Sequence, residues 1–333
     1  MQEMLKIGNV LIDMNFLNPS LILILAVFSF NNIFASESQY ESLQKKIEIP
    51  SAASLPIKDI KADYCIKKPK AGRSSFNCEG LSFVLNVPVI CLTKSCGLIV
   101  DVHGWRMDAR IQDRNTRLTQ LGGEKGYIVL NPQAKKTTIG RSWTPKDDKK
   151  VLAVINSVEK VFHVMEERVH FTGFSQGALM TWRFVCKYSE KFGSVAPIAH
   201  GAGTYISSAR PLKIKVMDNC FGTNELDILY AHGSKDKLVH FSGAINTVKK
   251  IGSEWQLANA KIISEDENHK RIQFSNSKGT KLEFLSYDWI SQYESGHCFP
   301  GVKSYLGCGE NNPLNWGEEV LKFFIDNPKV ISG

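Results

Sequence analysis

Val169-His170-Phe171-Thr172-Gly173-Phe174-Ser175-Gln176-Gly177-Ala178-Leu179-Met180 runs from a short apolar strand pattern through Gly-x-Ser-x-Gly into a helix-forming sequence. Strand, pentapeptide and helix in that order predict a nucleophile elbow. In such a turn the serine sits at a strained strand-to-helix junction, and glycines two residues either side let the neighbouring backbone pass. Ser175 is then the candidate nucleophile, its hydroxyl projecting from the sheet edge. The backbone N–H of Gln176, at the start of the helix, has no partner within it and can stabilise a developing oxyanion. The bare pentapeptide reads equally as a Gly/Ser turn; its flanks favour the elbow.

Working outward, strand and helix patterns alternate, which predicts an α/β fold with a mostly parallel sheet and helices on both faces. Strands are expected at Leu81 to Val87 and at Gly97 to His103. The second is nearly continuous in apolar residues, as a buried central strand should be, and it ends in His103-Gly104-Trp105. Ile111 to Lys125 reads as one helix, Tyr127 to Leu130 as a strand, and Asn131 to Pro145 as a long polar loop carrying Trp143. Asp147 and Asp148 open a helix with an apolar stripe at Val151, Ile155, Val158 and Phe162, so these carboxylates are read as structural. After the elbow come a helix over Ala178 to Tyr188, a strand at Val195 to Ile198, and a strand at Ile228 to His232 with Asp227 at its entrance. A helix follows over about Ser242 to Leu257. Strands near Arg271 to Phe274 and Lys281 to Tyr287 form a hairpin, and a last helix covers about Trp316 to Ile325.

A serine hydroxyl needs a general base at neutral pH, and the base needs a carboxylate to hold its tautomer and stabilise the imidazolium. Asp236, in the turn Gly233-Ser234-Lys235-Asp236, and His297, in Ser295-Gly296-His297-Cys298, each lie in a loop after an expected strand. With Ser175 they fall on the same carboxyl-terminal sheet edge. Asp227 is the competing acid. His103 and His232 end strands and are read as groups packed beside the site; His163, His170 and His269 are assigned to a helix, a strand entrance and a polar loop. The loop after the strand that ends at His103 should face the elbow, so the Trp105 backbone N–H is the candidate second oxyanion donor. Trp105, Trp143 and Trp289 are candidates to line an acyl or aromatic pocket, with core packing an equal reading for each.

At 333 residues, with 43% hydrophobic and 22% charged residues, the chain is globular in composition. A net charge of +8 with scattered Lys and Arg gives no basic stripe, so nucleic acid is not an expected partner. Leu21 to Phe30 is an apolar run too short to span a bilayer and is followed by Ala35-Ser36. This reads as a signal peptide over residues 1–35, with an uncleaved anchor as the other reading and Met14 as a second possible start. Residues 36–62 read as a flexible leader and 63–333 as one catalytic domain. Eight cysteines agree with an oxidising compartment, outside the cell or in the periplasm. Sequence leaves their pairing open; local pairs are expected, Cys65 with Cys78, Cys91 with Cys96, Cys186 with Cys220 and Cys298 with Cys308. No zinc-ligand spacing occurs, and neither a metal nor another cofactor is expected.

The strand Leu98 to Gly104, Asp147-Asp148 opening a helix, Thr172 to Gly177, His232-Gly233-Ser234-Lys235-Asp236 and Gly296 to Gly301 together resemble the secreted polyhydroxybutyrate depolymerase and feruloyl esterase family. The resemblance covers roughly Ser82 to Gly301. It implies an α/β-hydrolase fold and an exported carboxylic-ester hydrolase with the triad Ser175, Asp236 and His297, acting on a polyester oligomer in the manner of the depolymerases. A feruloyl or acetylxylan esterase acting on polysaccharide esters is the alternative, and a non-catalytic secreted binding protein on the same scaffold is a reading from another class. The sequence departs from the family at Ala178, where a glycine is usual.

Overall fold

In the computed structural model the described residues are 4–7, 10–13, 60–138, 140–206, 213–216, 220–222, 224–312 and 314–330. Apart from two short strands at Met4–Ile7 and Val10–Asp13, the expected signal peptide lies outside them, as does the leader up to residue 59.

Ten strands form the main sheet: β1 (Gly72–Cys78), β2 (Leu81–Val87), β3 (Gly97–Val102), β4 (Tyr127–Gln133), β5 (Val169–Phe174), β6 (Ser194–Ile198), β7 (Asp227–Gly233), β8 (Asn259–Glu265), β9 (His269–Ser275) and β10 (Lys281–Tyr287). Their spatial order is β8-β9-β10-β7-β6-β5-β3-β4-β2-β1. The six strands from β10 to β4 are mutually parallel, and antiparallel strands close both edges. Every residue of β3, β5 and β6 is buried, as expected of central parallel strands covered on both faces. Alternation sorts their side chains. Leu98, Val100, Val102 and Phe171 face one core, with α3 (Asp147–Phe162), α4 (Gln176–Tyr188) and α5 (Phe241–Glu254). Ile99, Val129 and Phe174 face the other, with α2 (Leu118–Glu124) and α6 (Trp316–Asp326).

Several sequence expectations change. The single helix over Ile111 to Lys125 is two, α1 (Ala109–Thr116) and α2, broken at Arg117, whose φ is 54°. The break lies where α6 crosses: a Cβ on Gly317 would stand 1.7 Å from the Thr116 carbonyl oxygen. Asp108 caps α1 by accepting from the Ile111 N–H at 2.8 Å, so the helix starts before Ile111. Strand β4 runs on to Gln133 because its end pairs with β2, where the sequence suggested loop. Edge strands β1 and β8 went unpredicted. Strand β8 is exposed along most of its length and offers no apolar alternation to read. His269 opens β9 instead of lying in a loop.

The four disulfides are Cys65–Cys78, Cys91–Cys96, Cys186–Cys220 and Cys298–Cys308, the local set expected. Asp148 is buried in a bidentate pair with Arg183 of α4, at 2.7 and 2.8 Å, and so ties α3 to α4.

Candidate active site

Ser175 joins β5 to α4 with φ 54°, a left-handed backbone that a non-glycine residue holds only under tertiary constraint. Its N–H donates to the Ile198 carbonyl at 2.9 Å, tying the turn to the end of β6. Both flanking glycines are required by space. A Cβ on Gly173 would stand 2.5 Å from the Gly177 carbonyl carbon, and one on Gly177 would stand 2.1 Å from the Val102 carbonyl oxygen. The helix therefore leaves the sheet at the closest approach that backbones allow. Ala178, one residue later, is accommodated fully buried.

The loop after β3 packs on the same turn. A Cβ on Gly104 would lie 2.9 Å from the Phe174 ring and 3.2 Å from the Phe174 carbonyl oxygen. His103, buried at the strand end, accepts the Ala134 N–H at Nε2 (3.1 Å) and therefore carries its proton on Nδ1, which donates to the Gly104 carbonyl at 2.7 Å. That carbonyl also accepts from the Met107 N–H. In a planar trans peptide the N–H points opposite to the C=O, so these two donors fix the direction of the Trp105 N–H. Burial pushes the His103 imidazole down to about 4, which keeps it neutral and the tautomer intact.

Asp236 and His297 meet directly. His297 Nδ1 donates to Asp236 Oδ2 at 2.7 Å, and both residues are buried. Asp236 Oδ1 accepts the backbone N–H groups of Leu238 and Val239, each at 2.8 Å. Burial alone would raise the Asp236 carboxyl, but the imidazoles of His297 and His232 hold it well below the usual carboxylate range. The two loops interlock through glycines: a Cβ on Gly233 would meet the Gly296 carbonyl oxygen at 2.2 Å, and the Gly296 N–H donates to the Lys235 carbonyl. Ser295 Oγ accepts from the N–H groups of both Lys237 and His297. The Tyr287 hydroxyl donates to the Cys298 carbonyl at 2.7 Å, just beyond His297.

The imidazole of His297 packs on Phe174, the residue before Ser175, with ring centroids 4.9 Å apart. No direct hydrogen bond joins Ser175 to His297 among the described residues; in free enzymes such contacts are often long and tighten when substrate binds. The arrangement can support acyl transfer, with a hydroxyl on a strained turn at a helix N-terminus and a histidine held by a buried carboxylate.

A family model for phospholipases and carboxylesterases matches residues 142–276, which include the elbow and the Asp236 turn. A bifunctional acetylxylan esterase/xylanase of Neocallimastix patriciarum is 23% identical over 157 residues, 45% of this chain and 21% of that protein, so the chain spans about a fifth of that relative's length. The solved structure of an acetyl xylan esterase from Aspergillus awamori superposes with a TM-score of 0.55 at 13% identity, covering 81% of this chain and 98% of that one. The fold is that of an α/β-hydrolase.

Within this fold the other expected residues separate. Asp227 opens β7 at the end of the strand away from Asp236 and accepts the Lys281 N–H at 2.8 Å, which removes it as the competing acid. Trp105 is exposed, with the Arg106 guanidinium 4.4 Å over its ring. Trp143, a candidate pocket wall, is buried; its indole N–H donates to the His103 carbonyl at 2.9 Å, so it braces the loop from below. Trp289 stacks on Tyr287 and meets His269 and Gly309, a packing role beneath the His297 loop. Ser295, Tyr287 and the side chain of Gln176 escaped the sequence reading. Their partners lie in other segments, and the one local signal was the spacing of Ser295 two residues before His297.

Proposed function

We propose that this chain is an exported serine carboxylic-ester hydrolase with Ser175, His297 and Asp236 as its triad. The observation that carries the reading is the 2.7 Å Asp236–His297 hydrogen bond, on the sheet edge where Ser175 sits on its sterically obligatory elbow. Ser175 Oγ attacks the ester carbonyl carbon while His297 Nε2 takes its proton. The oxyanion is received by the Gln176 and Trp105 N–H groups, each such donor contributing about 3 kcal/mol in comparable sites. Collapse expels the alcohol with the proton returned by His297, and water releases the acyl group by the same steps. Four disulfides support an oxidising compartment, and no described helix is long and apolar enough to cross a membrane.

For the substrate we place polysaccharide esters, acetyl esters first, ahead of polyester oligomers. Both similar proteins named above are acetylxylan esterases, and exposed Trp105, Tyr293 and Tyr305 sit on the loops that carry the site, where rings can stack on sugar faces. The test measures acid release from acetylated xylo-oligosaccharides, feruloyl sugars and hydroxybutyrate oligomers, with Ser175→Ala and His297→Ala as controls. Acetate release lost in both variants is expected. Faster cleavage of hydroxybutyrate oligomers would replace this substrate class with the polyester one. A folded wild type that neither turns over any ester nor labels at Ser175 with a fluorophosphonate would leave the non-catalytic binding reading.

A further inference from the structure

His232 is the penultimate residue of β7, four residues before Asp236, and is completely buried. Its Nε2 lies 3.1 Å from the Val239 carbonyl oxygen and 3.3 Å from Asp236 Oδ2. Both are acceptors only, so Nε2 must carry a proton. Its Nδ1 lies 3.2 Å from the Tyr230 hydroxyl, which therefore donates to it in the neutral ring; this tautomer is assigned from the partners. Asp236 Oδ2 thus faces two imidazole N–H groups, Nδ1 of His297 at 2.7 Å and Nε2 of His232 at 3.3 Å.

We propose that His232 is a positioning residue for the triad acid. The buried series Tyr230–His232–Asp236–His297 holds the carboxylate in the plane that His297 needs and draws off part of its charge. The proposal rests on the serine-hydrolase reading above. It goes beyond that reading by giving the acid a second, non-reacting imidazole partner that reaches the substrate only through Asp236 and His297.

Two functions follow from the geometry. The first is mechanical. Oδ1 is fixed by the Leu238 and Val239 amides, and His232 binds both Oδ2 and the Val239 carbonyl, so the carboxylate is tied to its own turn on both oxygens. The second is electrostatic. A donor on Oδ2 makes Asp236 a weaker acceptor toward His297, which tempers its stabilisation of the imidazolium and eases return of the proton to the leaving alcohol. The other titratable groups facing this cluster are Tyr230 and Tyr287, both pushed well above their ordinary values by burial and then by the Asp236 charge, and His200, which burial holds neutral at about 3. None of these three changes charge between pH 5 and 8, so none of them contributes to the acid limb of the rate profile.

The experiment uses the full exported chain with p-nitrophenyl acetate. Fluorophosphonate labelling of wild-type Ser175 comes first. A wild type that does not label overturns the site reading, and the inference with it. With labelling established, His232→Leu is expected to lower kcat between roughly 10- and 100-fold, with KM changed less than about twofold. The acid limb of kcat/KM should move to higher pH. His232→Gln, whose amide can donate from nearly the position of Nε2, should restore most of kcat and return the limb. Tyr230→Phe, which keeps the buried ring and removes only the hydroxyl, should move the limb the same way by a smaller amount. A limb unmoved in both His232→Leu and Tyr230→Phe, with Ser175 still labelled, overturns the positioning role even if kcat falls. Failure of His232→Leu to fold leaves the test to Tyr230→Phe, where an unmoved limb overturns the role, and to His232→Gln, where a loss of kcat as large as that expected for His232→Leu does so.

Discussion

The side chain of Gln176 accepts the Trp143 backbone N–H at 2.9 Å and donates to the Ser142 hydroxyl at 3.0 Å and the Trp143 carbonyl. The residue proposed as the first oxyanion donor thereby also anchors the segment whose Trp143 indole holds the His103 carbonyl, at the root of the loop carrying the proposed second donor. Gln176→Ala leaves its own N–H in place but releases that brace. A fall in kcat of about tenfold is expected, with thermal stability little changed. Steady-state kinetics beside a melting curve checks it; an unchanged kcat would show that the loop holds without Gln176.

Gly177→Ala drives a methyl group against the Val102 carbonyl, with backbone on both sides and no flexible side chain to yield. Destabilisation above about 3 kcal/mol is expected, more than the usual cost of overpacking, because strand and helix must move apart. Urea unfolding measures it. A loss under 1 kcal/mol would mean that the elbow is looser than the structure has it.

Asp101, buried in β3, accepts from Gln112 and Thr116, each at 2.7 Å, and burial raises its carboxyl to about 7. Its folded value lies above the unfolded one, so between about pH 4 and 7 the unfolded chain has lost a proton that the folded chain keeps. Stability on this account falls as pH rises through that window and levels off above it. His103, His170 and His200, pushed down by burial to about 4, 3 and 3, act in the opposite sense, their stability being lost as pH falls below about 6.5. Comparing Asp101→Asn with wild type isolates the aspartate. The stability difference should shift by up to ~4 kcal/mol in favour of the variant between pH 4 and 8. Equal differences at both ends would remove Asp101 from the pH response.

Cys186–Cys220 joins the end of α4 to the segment before β7 across 34 positions. Replacing both with alanine should cost about 4 kcal/mol through the freed entropy of the unfolded chain. Removing Cys91–Cys96, separated by only 5 positions, should cost less. Melting temperatures of the two double variants, each compared with wild type, give the order; a reversed order would point to native packing as the larger contribution.

What could be read from the sequence was short in range. The elbow, the turn Gly233 to Asp236 and the Gly296-His297 pair are local patterns, and their common position after expected strands follows from strands alternating with helices. Apolar runs such as Leu98 to Val102 announced the central sheet because burial on both faces leaves no room for polar alternation. Tertiary structure decided what depends on distant partners. The helix break at Arg117 answers to Gly317, 200 positions away, and Trp143 became a brace because His103 lies beneath it. His232 acquired its place on Asp236 only when β7 ended in a turn tight enough to fold the carboxylate back onto it. Periodicity records which face of an element is buried, but the atom a buried polar group meets there is set by backbone approach distances between segments, which no local pattern encodes.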